Sequence, residues 1–128
     1  MKSDKINKQK NVLGEELEFC CYKPKTGFLR NGYCHIIPED QGSHTICIEI
    51  TNDFLNFQKK IGNDLSTPAP EFNFPGLKDG DRWCVCASRV KQAITAAINI
   101  KILLRSTNEA ALEYVSLAEM KKYAIDIS

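Results

Sequence analysis

The sequence predicts an α+β fold, a two-layer α/β sandwich with a mixed or antiparallel sheet, a C-terminal β-hairpin and about three helices. Three observations carry this expectation. Thr45-Ile-Cys-Ile-Glu-Ile50 is a β-branched run that puts Ile46, Ile48 and Ile50 on one face of a strand. Val90, Ala93, Ile94, Ala97 and Ile98 follow the spacing of a helix with one apolar stripe, which needs a sheet to cover. Asn108 marks a turn between the apolar runs 100–104 and 110–115, which predicts a hairpin and excludes a wholly parallel sheet.

In chain order, residues 1–10 read as a polar tail and 11–128 as one globular domain. Residues 11–18 form an extended lead-in. Thr26-Gly27 and Asn31-Gly32 are turn signals, and 38–44 is a polar turn before the first strand. Thr51 is placed to cap a short helix that buries Phe54, Phe57 and Ile61 and ends at Gly62. Residues 62–86 then hold three of the five prolines, three of the seven glycines, the only tryptophan and two of the six cysteines. Proline excludes a helix there and interrupts any strand, while Phe72, Phe74, Leu77 and Trp83 argue against disorder. We expect a rigid, packed loop feeding a strand at 82–87, followed by a helix capped by Ser88. Ser116 and Glu119 have the spacing of a capping box for a last helix to about Ala124.

Composition excludes several classes. With 128 residues, 43% hydrophobic and 26% charged, the chain can bury its own core. Its 17 basic and 16 acidic residues leave a net charge of +1, so nothing electrostatic argues for nucleic acid or an anionic membrane as partner. The lysine-rich start has no apolar core behind it and does not read as a secretory signal. The expectation is therefore a cytoplasmic protein with all six cysteines as reduced thiols, most of them buried as small hydrophobes.

Two constellations carry candidate chemistry. Cys84 and Cys86 alternate along one strand face, and with another thiol or His44 they would offer a metal site. The one-residue gap is shorter than structural zinc sites favour, so core thiols are the preferred reading, with no metal assigned and the cofactor left open. The second constellation is polar and loop-borne. His44 beside Glu39 or Asp40 has the makings of a general base held by a carboxylate, and the loop-borne Cys34 of a nucleophile. Asp64 joins these as a catalytic candidate, while Asn63, Arg82 and Trp83 join Glu39 and Asp40 as ligand-binding ones. Against this, Asp64, Ser66 and Thr67 also read as an ordinary self-bonding turn, and the aromatics as core. Glycine-rich phosphate loops, serine elbows and His-Glu-x-x-His are all absent.

Asn11-Val-Leu-Gly14, Pro38-Glu39-Asp40, Gly42-Ser-His44-Thr-Ile-Cys47, Gly62-Asn-Asp-Leu-Ser-Thr-Pro68, Phe74-Pro-Gly-Leu77 and Gly80-Asp-Arg-Trp-Cys-Val-Cys-Ala87 resemble the domain-of-unknown-function 2237 family, small and mostly bacterial proteins. The resemblance runs from about residue 11 to 126. It implies a compact α+β two-layer fold and no assigned activity. Where that family usually reads Thr-His-Glu, this chain has Thr107-Asn108-Glu109, and asparagine cannot take up a proton near neutral pH. The leading expectation is a small-molecule-binding domain, with an enzyme as one form of it, whose site lies between the 38–44 turn and the 62–82 loop. The alternatives are a cysteine-based metal module and a protein-interaction module.

Overall fold

The computed structural model describes residues 8–127. Its centre is β1 (His44–Glu49), flanked by β2 (Arg82–Cys86) on one edge and β3 (Lys101–Ile102) on the other, all antiparallel. Ile46, Cys47 and Ile48 are fully buried, so β1 is covered on both faces rather than on one. A bulge between His44 and Ile46 leaves Thr45 unmatched and sets His44 directly across from Cys86. The row Arg82, Glu49 and Lys101 spans all three strands, with N–O separations of 3.6 and 3.7 Å.

Beyond these strands the edges are closed by side chains and short turns. Thr26 Oγ1 accepts from the Cys84 N–H at 2.7 Å on the outer side of β2. On the opposite side of β1, the Cys47 carbonyl accepts from Leu103 N–H and the Thr45 carbonyl from Asn108 N–H.

Three α-helices complete the described fold: α1 (Asn52–Lys60), α2 (Ala87–Thr95) and α3 (Leu117–Lys121). Thr51 caps α1, its hydroxyl accepting from Phe54 N–H, and Gly62 follows the helix with φ +89°. Phe54 is fully buried in one core with Ile46, Ile48, Val90, Ala93 and Met120. Ser116 and Glu119 form the expected capping box at α3, which ends at Lys121.

Several elements depart from expectation. No C-terminal hairpin forms among the described residues: β3 has two residues, and Glu109–Glu113 is a 3-10 helix started by Asn108, whose Oδ1 accepts from Ala110 N–H. Alanine and glutamate outweigh the alternation of that stretch. Ser88 does not cap α2; Cys86 holds the N-cap position and Ser88 lies inside the first turn. Residues 1–7 lie outside the described residues, but the Gln9 side chain bonds both the carbonyl and the N–H of Ile36, and Lys10 pairs with Glu16.

The largest correction concerns the cysteines. Cys20 is bonded to Cys47, and Cys34 to Cys84, with Cα–Cα separations of 5.9 and 5.4 Å. Only Cys21 and Cys86 are free. The expectation of six reduced thiols considered pairs close in sequence; the fold instead sends one cysteine of each close pair to a distant partner.

Candidate functional site

A cleft of about 880 Å³ opens over the β2 side of the sheet. Trp83 and Val85 contribute to it from β2, and residues 27–30 form one wall. Asn63 to Leu65 and the turn around Phe72 to Phe74 form the other, with His44, Cys86 and Arg89 at one end. The lining is mostly apolar and carries a few polar groups, as ligand clefts usually do. Phe74 meets Trp83 edge-to-face at 5.3 Å. Arg30 lies 4.9 Å over the Trp83 ring and donates to the carbonyls of Gly27, Phe72 and Asn73, which joins the two walls across the floor.

The His44 end holds the group most suited to proton transfer. The turn before β1 folds back so that Asp40 Oδ2 accepts from His44 N–H at 2.9 Å while Oδ1 contacts the ring Nδ1 at 2.6 Å. The Asp40 side chain is fully buried and that of His44 is 40% exposed, which leaves the imidazole held at one nitrogen and open at the other. Gly42 keeps this place free: a Cβ there would stand 2.9 Å from His44 Cε1. Phe28 lies against the ring with centroids 6.0 Å apart.

Across the ladder from His44 is Cys86. Its thiol donates to the Gly42 carbonyl at 2.9 Å and lies 3.2 Å from Ser88 Oγ. It is also the N-cap of α2, and no side chain caps that helix end. The Ala87 N–H is taken by the Ser43 carbonyl, which leaves the Ser88 and Arg89 N–H groups as the free donors of the first turn. Sequence reasoning had Cys86 only as a possible metal ligand. Its pairing with His44 was hidden because the bulge at Thr45 sets the register.

The other expected residues divide. Asn63, Asp64 and Trp83 line the cleft with His44. Asp64 spends its oxygens on its own turn, accepting from Ser66 N–H and Thr67 Oγ1, and the Thr67 hydroxyl and then the Ser66 N–H hold its carboxyl below the usual range. Asn63 donates to Gln58 Oε1. Asp40 supports His44 from behind. Glu39 is exposed and outside the cleft, and Arg82 reaches Glu49 instead. Arg30 and Arg89, which the sequence did not single out, supply the cleft's cations. Cys34 is fully buried in its disulfide and has no thiol to offer. The pair Cys84 and Cys86 is split between a disulfide and a free thiol.

The model of the uncharacterised family conserved in bacteria, domain of unknown function 2237, matches residues 10–124. The chain belongs to that family. In this DUF2237 protein the match takes in every segment that lines the cleft and all six cysteines. No curated protein matches the chain. Asn108 is buried and donates to Gln9 Oε1 and the Cys34 carbonyl. It serves the packing of the lead-in and lies outside the cleft. No helix among the described residues is long and apolar enough to cross a membrane.

Proposed function

We propose that this DUF2237 protein is a small-molecule enzyme of the cysteine-nucleophile class, with Cys86 as nucleophile, His44 as general base and Asp40 as the carboxylate that orients the imidazole. The observation that carries the reading is the placement of Cys86 across from His44 at the end of a cleft, with His44 held by a buried carboxylate. In acyl transfer, the thiol leaves the Gly42 carbonyl and gives its proton to the free ring nitrogen of His44. Its sulfur bonds the substrate's carbonyl carbon while the Ser88 and Arg89 N–H groups face the developing oxyanion. The leaving group departs with the proton held by His44, and a water, deprotonated by the same ring, then releases the acyl group.

The cleft suggests the substrate's character. A flat, apolar acyl group fits beside Trp83 and Phe74, and an anionic substituent fits Arg89. Asn63 and Asp64 would border its far end. We place the protein in the cytoplasm on the Cys86 thiol alone; the two disulfides weigh the other way, since such bonds persist in oxidising compartments.

The test is the rate of iodoacetamide alkylation followed by peptide mass spectrometry, together with turnover of a panel of small aryl thioesters. Cys86 should react ahead of Cys21, and His44→Ala should slow it by roughly tenfold. Asp40→Asn should lower thioester turnover by a similar factor or more. Equal labelling of the two free cysteines, unaffected by His44→Ala, would sink the proposal.

A further inference from the structure

The four bonded cysteines are gathered in one place beside the cleft. Cys47 and Cys84 are partners in the β1–β2 ladder, yet each is bonded to a cysteine from the N-terminal part of the chain. The Sγ atoms of Cys20, Cys34 and Cys47 lie within 4.8 Å of one another, although Cys34 belongs to the other disulfide. All four residues are at most 2% exposed, and they form a core cluster of their own whose one further member is Leu103. The cleft wall at 27–30 lies between Cys20 and Cys34, so both ends of the segment that carries it are fastened at this cluster.

We infer that the cluster is a redox-gated soft-metal site: reduced, Cys20, Cys34, Cys47 and Cys84 hold one zinc ion, and the metal replaces the disulfides in fastening residues 20–34 to the sheet. Zinc bound tetrahedrally by four thiolates at about 2.3 Å requires its sulfurs roughly 3.8 Å apart. The sulfurs of Cys20, Cys34 and Cys47 already lie within 4.8 Å of one another; on reduction Cys20 and Cys47 part, and Cys84, released from Cys34, turns in as the fourth ligand. The backbone supports them independently of the S–S bonds: Cys20 N–H donates to the Gly32 carbonyl, Cys47 N–H to Thr107 Oγ1 and Cys84 N–H to Thr26 Oγ1. Thiolate ligands select zinc over the hard cations calcium and magnesium.

The exchange balances with a dithiol as reductant. Each protein disulfide takes two electrons and two protons from one dithiol, which closes to its own cyclic disulfide. The four resulting thiols lose four protons to the buffer as four S–Zn bonds form. Excess cyclic disulfide reverses this, taking back two electrons and two protons for each protein disulfide formed, and the metal is expelled. Paired cysteines with two to four intervening residues would have signalled such a site in sequence; here the ligands come from four separate segments, and only the fold assembles them.

The test uses the full chain, reduced anaerobically with excess dithiol, freed of that reductant by gel filtration, and titrated with cobalt or zinc. One cobalt per chain should bind, with the sulfur charge-transfer and intense visible bands of a tetrahedral thiolate site, and zinc should displace it. Cys47→Ser should remove that spectrum, whereas the double variant Cys21→Ser, Cys86→Ser should keep it, which separates this site from any that uses Cys86. Circular dichroism before and after metal addition covers the case in which reduction unfolds the chain: recovery of the native spectrum on adding zinc supports the site. A reduced chain that takes up no metal, folded or unfolded, overturns it, as does a Cys47→Ser variant with an unchanged cobalt spectrum.

Discussion

Asn31 fixes the protonation of a histidine outside the cleft. Its Oδ1 accepts from Tyr33 N–H, so its Nδ2 must be the atom that donates to His35 Nδ1. His35 is buried and stacked on Tyr33 at 4.8 Å, and burial lowers its pKa from the ordinary 6.5. The neutral ring therefore suits the folded state. Below pH 6.5 the unfolded chain binds a proton that the native chain does not, so stability is full above that value and falls as pH drops towards the folded pKa. Thermal melts across pH 5 to 8 should show this slope, and His35→Gln should flatten it relative to the parent. The sequence places His44 beside two carboxylates, Glu39 and Asp40, and the structure gives it one of them, Asp40. Cys34 has no free thiol for a reason no local pattern contains: whether a cysteine is free depends on where the others fold. Arg82 failed because one residue of register decides whether a strand's side chain faces the cleft or Glu49.

At the scale of the element, α2 ends in a way that offers a clean test. Ile98 N–H reaches the Ala93 carbonyl and Ala97 N–H the Ile94 carbonyl, the two bonds of a Schellman turn, and Ala97 sits in the left-handed position with φ +58°. Glycine avoids the Cβ clash that alanine meets there. Ala97→Gly should stabilise the protein by about 0.5–1 kcal/mol, read as a shift in urea midpoint without a change in slope. At α3, Ser116→Ala removes one half of a capping box and should cost about 1 kcal/mol. These two helices, β1, β2 and the Thr51 cap were legible because each rests on a local rule of spacing or capping. The hairpin was not: 110–115 has apolar residues compatible with a strand, but the neighbours that would pair with it are occupied, since Leu103 and Asn108 already bond β1. The helix bounds at α2 slipped for a related reason, because the Ser43 carbonyl takes the Ala87 N–H and draws the helix start back to Cys86.

Over the whole molecule, the sheet is small, and much of the chain outside it is held by turns, bridges and sulfur. The disulfides close separations of 27 and 50 residues, and each removes roughly 3–4 kcal/mol of unfolded-chain entropy. That is a large share of the roughly 5–15 kcal/mol typical of a domain. Reduction in the presence of a chelator should therefore lower the urea midpoint sharply, and Cys20→Ser should reproduce part of the loss without reductant. The two bonds also interleave, since Cys34 lies inside the loop closed by Cys20 and Cys47 while Cys84 lies beyond it. A chain pulled from its ends cannot pay out the whole stretch between residues 20 and 84. The shortest covalent path follows the backbone from 20 to 34 and crosses there to 84, so fourteen backbone steps and one disulfide bear the load in place of sixty-four steps. In a force–extension trace the oxidised protein should come up shorter than the reduced one by on the order of 180 Å, at about 3.6 Å for each withheld residue.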